Sequence, residues 1–246
     1  MAKVAVIIPA AGAGERFGGK VKKPFAQIDN RPVFIRSVEL FINRKDVVQT
    51  IITVAPEDYD VVKEKYAANI MFMGLKLVKG GATRFESVRA ALGNTDEQAD
   101  LVCIHDAVRP CVLESWIDQA FKKAEETGAA ILAAPLNGTI KRAKGKDHVI
   151  EKTIDREGLY EAQTPQVFKR DLILKAFADV PADFKATDDA QVVERMGHPI
   201  TIVPTDLRNL KITTPGDMNL AGAILKEMTR DARKGGPLRA FEEAQW

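Results

Sequence analysis

Cysteine is scarce in this chain: Cys103 and Cys111 are the only two among 246 residues. Two cysteines build neither a disulfide framework nor a metal cluster of the usual spacing. Cys103, inside an apolar run, reads as a buried small hydrophobe. An excess of charge of one sign is also missing. Lys and Arg number 36 and Asp and Glu 34, a net charge of +2, so bulk electrostatics offers no nucleic-acid surface and any anion site must be local. No apolar stretch reaches the roughly 18 residues of a membrane span. Met1-Ala2-Lys3 lead straight into the first apolar run, so the expectation is a cytoplasmic protein without membrane or nucleic-acid partners. Hydrophobic residues at 46% and charged residues at 28% exclude extended disorder. A chain of this length holds one main domain with a full core, not two large catalytic domains.

Apolar runs of strand length recur at Val4–Ile8, Val47–Val54, Leu75–Val78, Leu101–Ile104, Ala129–Ala134 and Ile200–Val203. Helical spacing separates most of them, at Pro32–Asn43, Arg84–Leu92 and Leu113–Ala124. Alternating strands and helices predict an α/β domain around a largely parallel sheet. A final helix starts after Thr214, with Pro215 in its first turn and Asp217 suited to the helix dipole, and stops before Arg233. One segment, about Leu136 to Gln163, breaks the rhythm. Thr139–Arg142 and Val149–Ile154 alternate at period two around Lys144-Gly145-Lys146-Asp147, which predicts a hairpin. It is too polar and narrow to be stable alone; a second subunit would cover it, and a mobile surface hairpin is the other reading.

The segment Pro9-Ala10-Ala11-Gly12-Ala13-Gly14-Glu15-Arg16 follows the first strand. Small residues let backbone N–H groups approach an anion, and Arg16, Lys20, Lys22 and Lys23 add positive charge, as in a triphosphate cradle. A glycine-rich turn with solvated basic residues is the bland alternative. Two better-known cradles do not fit. Gly14-x4-Gly19-Lys20 has Val21 where a P-loop has a hydroxyl for magnesium. Gly12-x-Gly14 has Phe17 where a dinucleotide fingerprint needs its third glycine.

Ligands in open α/β sheets bind outside the carboxyl ends of strands, and other strand ends here carry chemistry too. Leu75–Val78 is followed by Lys79-Gly80-Gly81-Ala82-Thr83-Arg84, with Ser87 one turn into the next helix. Leu101–Ile104 is followed by His105-Asp106-Ala107-Val108-Arg109-Pro110, and Asn209–Thr214 lies shortly after the last strand. Asp106 can serve magnesium or its water shell, or pair with Arg109 or cap a helix. His105 reads as structural, because an attacking phosphate oxygen is already ionised. Arg84 and Ser87 can face one site or form a solvated helix face. Thr187-Asp188-Asp189 opens a helical stretch, with Thr187 as a plain N-cap. Lys211 points away from Leu210 and Ile212, as a site group or a surface lysine.

Ala10-Ala11-Gly12-x-Gly14-x-Arg16, Lys23, His105-Asp106-Ala107-x-Arg109-Pro110, Gln163-Thr164-Pro165-Gln166, Thr187-Asp188 and Lys211-Ile212-Thr213 together resemble the 2-C-methyl-D-erythritol 4-phosphate cytidylyltransferase family over about residues 3 to 227. The resemblance implies a single Rossmann-like nucleotidyltransferase domain at 1–228, with a hairpin dimerisation arm at 136–163 and a C-terminal tail at 229–246. It implies transfer of CMP from CTP to the sugar-alcohol phosphate, with release of pyrophosphate, magnesium as cofactor and a homodimer as the working form. Arg16 and Lys23 would stabilise the transition state, and Arg156 and Lys211 would position the acceptor. Pro9, Ala10, Ala11, Gly12, Ala13, Gly14, Gly81, Ser87 and Asp106 would surround the nucleotide, with Asp106 also near the metal, directly or through water. Asp106, Arg109, Thr139, Arg156, Thr164, Thr187 and Lys211 would hold the acceptor, Thr139 and Arg156 reaching into the partner's site.

The chain departs from the family pattern at Lys22-Lys23-Pro24, where Lys22 rivals Lys23, at Gly138 and at Ala82. Ribitol 5-phosphate as acceptor, another nucleotide base, or a non-catalytic nucleotide-binding protein are the remaining readings.

Overall fold

Strand β1 (Val4–Pro9) is buried on both faces, because residues of alternate parity enter different cores. Val4, Val6 and Ile8 join one cluster and Ile7 the other, and in β6 (Leu101–Ile104) Leu101 and Cys103 separate from Val102 and Ile104 in the same way. A strand buried on both sides needs helices on both sides. The computed structural model describes residues 1–11, 22–181 and 184–233.

In chain order, the short strands β2 (Gln27–Ile28) and β3 (Arg31–Pro32) pair before helix α1 (Val33–Glu39). Strand β4 (Val47–Val54), helices α2 (Tyr59–Lys65) and α3 (Ala67–Phe72), strand β5 (Leu75–Lys79) and helix α4 (Arg84–Leu92) lead to β6. Then come helix α5 (Glu114–Thr127), strands β7 (Ala129–Pro135), β8 (Ile140–Lys144), β9 (Val149–Ile154) and β10 (Tyr160–Lys169), helices α6 (Arg170–Ala178) and α7 (Asp189–Glu194), strand β11 (Thr201–Pro204) and helix α8 (Pro215–Arg233).

The central sheet has seven strands in the order β11-β7-β10-β6-β1-β4-β5. All pairings are parallel except those of β10, which runs antiparallel to β6 and β7. This is the mostly parallel α/β sheet that the alternating pattern predicts. Helices α1 and α5 cover one face through Phe34, Val38, Trp116 and Ile117. Helices α4, α6 and α7 cover the other through Val88, Ala91, Ile173 and Val192. Helix α5 stops at Gly128, whose φ of +93° is costly for any residue with a Cβ, and a Cβ there would fall 2.7 Å from His198 Nε2.

The antiparallel β10 was not expected from the sequence, and it corrects the arm. Tyr160, Glu161 and Ala162 pair with Pro135, Ala134 and Ala133 inside the central sheet, so the end of the 136–163 segment is not part of the hairpin. The hairpin itself is β8 paired with β9, Ile140 opposite Ile154. Helix α8 also continues through residue 233, so the first residues of the expected 229–246 tail are helical.

Candidate active site

With β10 reversed, its amino end lies at the edge where the parallel strands end. That places Thr164 against the loop after β6, and a hydrogen-bond chain joins them. The Asp106 N–H donates to Thr164 Oγ1 at 3.0 Å, Thr164 Oγ1 lies 3.1 Å from His105 Nδ1, and His105 Nε2 lies 3.0 Å from the Arg109 carbonyl oxygen. A carbonyl can only accept, so Nε2 carries the proton and Nδ1 accepts from the hydroxyl. Burial lowers the His105 pKa to about 4, and the ring is fully enclosed. His105 holds the loop and has no free nitrogen to take a substrate proton.

Asp106 collects three cations. Its Oδ1 lies 3.0 Å from Arg84 Nε, and its Oδ2 lies 2.8 Å from Lys211 Nζ and 3.5 Å from Arg109 Nε. Burial alone would favour the neutral acid, but Arg84, Lys211 and Arg109 outweigh it and hold the carboxylate well below the usual range. Pairing with Arg109 is the alternative to magnesium in the sequence reading of Asp106; the structure keeps Arg109 at 3.5 Å and makes Arg84 and Lys211 the closer partners. Burial lowers the Arg109 pKa, while its Nη1 donates to the Asn209 carbonyl at 2.6 Å. Arg84 also reaches Asp189 Oδ2 at 2.7 Å. Burial raises the Asp189 carboxyl against the pull of that guanidinium.

Two small-residue loops adjoin at the ends of β1 and β5. The Ala10 N–H donates to Thr53 O at 2.8 Å and the Gly80 N–H to Val54 O at 2.7 Å, so both loops are fastened to the end of β4 that lies between them. A Cβ at Gly80 would sit 2.6 Å from Ser87 Oγ and 3.1 Å from the Ala11 methyl, and one at Gly81 would sit 2.3 Å from Glu86 Cβ. Glycine is required there by close approach. Ser87 is buried, donates to Thr83 O at 2.8 Å and accepts from the Gly81 N–H at 3.1 Å. Its hydroxyl therefore shapes the loop from below. Thr83 and Glu86 close a capping box that fixes the start of α4.

Gly12, Ala13, Gly14 and Arg16 lie outside the described residues, as does Lys20. The segment re-emerges at Lys22, whose Nζ lies 2.6 Å from Asp58 and 3.1 Å from Glu57. The Asp58 bond leads the rise in its pKa. Lys23 opens a short 3-10 turn through Phe25, over the buried Pro24.

Not every candidate converges. Thr139 is exposed just before β8, and Arg156, exposed between β9 and β10, donates to the Asn137 carbonyl at the base of the arm. Thr187 is exposed, and it is not the N-cap of α7: Asp188 is, accepting from the Gln191 N–H at 3.0 Å. The residue at the cap has extended backbone while its neighbour bonds to the Gln191 side chain. The sequence reading missed Asp189 as a partner of Arg84, and the framework role of Gln163 and Asn209. Gln163 Oε1 accepts from Thr205 Oγ1 and Asn209 Nδ2, both at 2.8 Å. Gln166 Oε1 accepts the first amides of α7, from Asp189 at 3.0 Å and Ala190 at 2.9 Å.

Backbone loops of small residues beside a cluster of Arg and Lys, at the carboxyl edge of a mostly parallel sheet, define a nucleotidyltransferase-type α/β protein. The family model of 2-C-methyl-D-erythritol 4-phosphate cytidylyltransferase matches residues 4–227. A protein of that name from Rhodopirellula baltica is 46% identical over 238 residues, covering 92% of this chain and 96% of its own. One from Solibacter usitatus is 40% identical, with 92% and 96% covered. Among solved structures, the 4-diphosphocytidyl-2C-methyl-D-erythritol synthase of Anaerococcus prevotii superposes with a TM-score of 0.76 at 28% identity, covering 92% of this chain and 96% of that one. The 2-C-methyl-D-erythritol 4-phosphate cytidylyltransferase of Thermus thermophilus gives 0.75 at 28% identity, covering 92% and 100%. The chain belongs to the 2-C-methyl-D-erythritol 4-phosphate cytidylyltransferase family.

Proposed function

We propose that this chain transfers CMP from CTP to 2-C-methyl-D-erythritol 4-phosphate and releases pyrophosphate, in the synthesis of isoprenoid precursors. The observation that carries this reading is the gathering of Lys211, Arg109 and Arg84 on Asp106 beside the adjoining Ala10–Ala11 and Gly80–Gly81 loops. An oxygen of the acceptor phosphate attacks the α-phosphorus of CTP in line. The new bond joins that oxygen to phosphorus, and the bond to the β-phosphate oxygen breaks, its electrons leaving with pyrophosphate. No base is needed, which agrees with a His105 whose Nε2 proton is donated to the Arg109 carbonyl and whose Nδ1 is taken by the Thr164 hydroxyl.

Two polyanions must meet, so charge compensation and alignment dominate. Lys211 and Arg109 receive the acceptor phosphate, and Arg16 and Lys23 stabilise the charge developing on the triphosphate. The backbone from Pro9 to Gly14, Gly81 and the Ser87 loop surround the nucleotide, and Thr164 and Thr187 border the acceptor. Thr139 and Arg156, exposed on the arm, serve the site of a second copy, so the working form is a homodimer in the cytoplasm.

Among the described residues no three His, Cys, Asp or Glu side chains converge on a metal position. Asp106 is a hard oxygen donor whose oxygens already face three cations. With both oxygens so engaged, Asp106 is no open ligand, and the residues fit only a magnesium ion carried on the triphosphate and met by Asp106 through its water shell; when bound, the ion would neutralise phosphate charge.

The test is pyrophosphate release from each nucleoside triphosphate with methylerythritol 4-phosphate and with ribitol 5-phosphate. Turnover with CTP and methylerythritol 4-phosphate is the expected result. Preference for ribitol 5-phosphate would overturn the acceptor, and no release with any pair would overturn the transfer.

A further inference from the structure

We propose that Arg84 is a positioning residue for the acceptor phosphate, acting through Asp106 on Lys211; the role rests on the CMP-transfer reading above. Arg84 is the first residue of α4, directly after the Gly80–Thr83 loop, and the capping box fixes its backbone. Its side chain then leaves the nucleotide loop and forks. Nε donates to Asp106 Oδ1 at 3.0 Å and Nη2 to Asp189 Oδ2 at 2.7 Å. Both carboxylates are buried, Asp189 at 1% and Asp106 at 5% exposure.

A guanidinium is a rigid plane, so two simultaneous carboxylate contacts fix the rotation of each. Taking Oδ1 of Asp106 leaves Oδ2 for Lys211 and Arg109. Lys211 is the most open of these groups, with 41% of its side chain exposed. It is therefore the cation that an incoming phosphate can draw off the carboxylate. Where Lys211 waits depends on which way Asp106 is turned, and Arg84 sets that. The same fork ties the nucleotide loop to α7, two residues beyond Thr187. One side chain thus links the nucleotide edge to the acceptor edge.

A merely structural Arg84 would pin α7 and nothing more. The two roles separate in steady-state kinetics. Arg84→Lys keeps the charge and loses the fork. Arg84→Met/Asp189→Asn removes the fork and the stranded carboxylate together, so α7 is not left holding an unpaired buried charge.

With both variants, the acceptor KM should rise and kcat fall by at least about tenfold in kcat/KM, while the KM for CTP stays near the wild-type value. The double variant should also keep a thermal midpoint near that of the wild type. Should Arg84→Lys fail to fold, the double variant carries the test. Wild-type acceptor KM and kcat in a folded variant would overturn the positioning role alone. Absence of pyrophosphate release by the wild-type enzyme with every acceptor would overturn the proposed function, and this role with it. A rise in the CTP KM matching that of the acceptor KM would also overturn it, because the effect would then lie in the nucleotide loop.

Discussion

Lys211 Nζ lies 2.8 Å from Asp106 Oδ2, held there by neighbours that face the other way. Ile212 is buried, and its N–H donates to the Val108 carbonyl at 2.9 Å, so the loop after β11 is fastened to the loop after β6. Removing the ammonium should leave that fastening intact. Lys211→Ala is expected to lower kcat/KM about a hundredfold, roughly 3 kcal/mol of transition-state stabilisation, with little change in thermal midpoint. Full activity in the folded variant would end the assignment.

Lys22 and Lys23 are separated by substitution. Lys22 is committed to Asp58 and Glu57 in a partly exposed ion pair, and solvent-screened pairs of this kind contribute little. Lys22→Ala should therefore stay within a few-fold of wild-type turnover, whereas Lys23→Ala should lose about a hundredfold, as expected when one charge-stabilising donor is removed. Parallel kcat measurements on the two variants decide between them, and the reverse order of effects would exchange their roles.

How legible the molecule was depended on what each segment buries. Val4–Ile8 and Leu101–Ile104 are apolar because both faces are covered, and they read directly as strands. Strand β10 did not, since Gln163, Thr164, Pro165 and Gln166 look like a loop. Gln163, Thr164 and Gln166 are polar because they accept from the Asn209, Asp106 and α7 amides inside the protein. Asp106 and Lys211 were visible as residues at strand ends. The Arg84 fork was not, because its partners lie 22 and 105 residues away in the chain, and an acidic residue at a helix start has an ordinary local explanation in the dipole.

Asn209 tests that polar framework. Its side-chain amide donates to Gln163 Oε1 at 2.8 Å and to the Thr164 carbonyl at 3.0 Å, and the residue is fully buried. Asn209→Ala strands the Thr164 carbonyl and should cost about 1–3 kcal/mol of stability. Denaturant unfolding measures it. An unchanged midpoint would mean that water replaces the amide.

The arm makes a prediction about assembly. Val149 and Ile150 are 65% and 62% exposed on a two-stranded hairpin, which is marginal without a packing partner. Light scattering is expected to give twice the 27.0 kDa chain mass. Ile150→Asp should weaken that dimer and lower activity with it, whereas Arg156→Ala should raise the acceptor KM with the dimer intact. A fully active monomer would refute the shared site.

His105 predicts how stability follows pH. Its pKa falls from an ordinary 6.5 to about 4 on folding, because burial disfavours the charged ring. Between those values the unfolded chain binds a proton that the folded protein does not, so ∂ΔG/∂pH is positive and stability drops as the solution is acidified. The loss begins near pH 6.5 and is complete near pH 4, where the folded ring also protonates. A shift of this size corresponds to about 3 kcal/mol. Asp106 works in the same direction at lower pH, since its carboxyl is held below the usual range by Arg84, Lys211 and Arg109. Replacing the ring by an amide that does not titrate separates the two: His105→Gln should be less stable at pH 7, where Thr164 and Arg109 lose well-placed partners. Its stability should nevertheless fall less steeply from pH 6.5 to 5 than that of the wild type. Denaturant melts at intervals across that range give both slopes, and identical slopes would show that His105 already titrates in the folded protein.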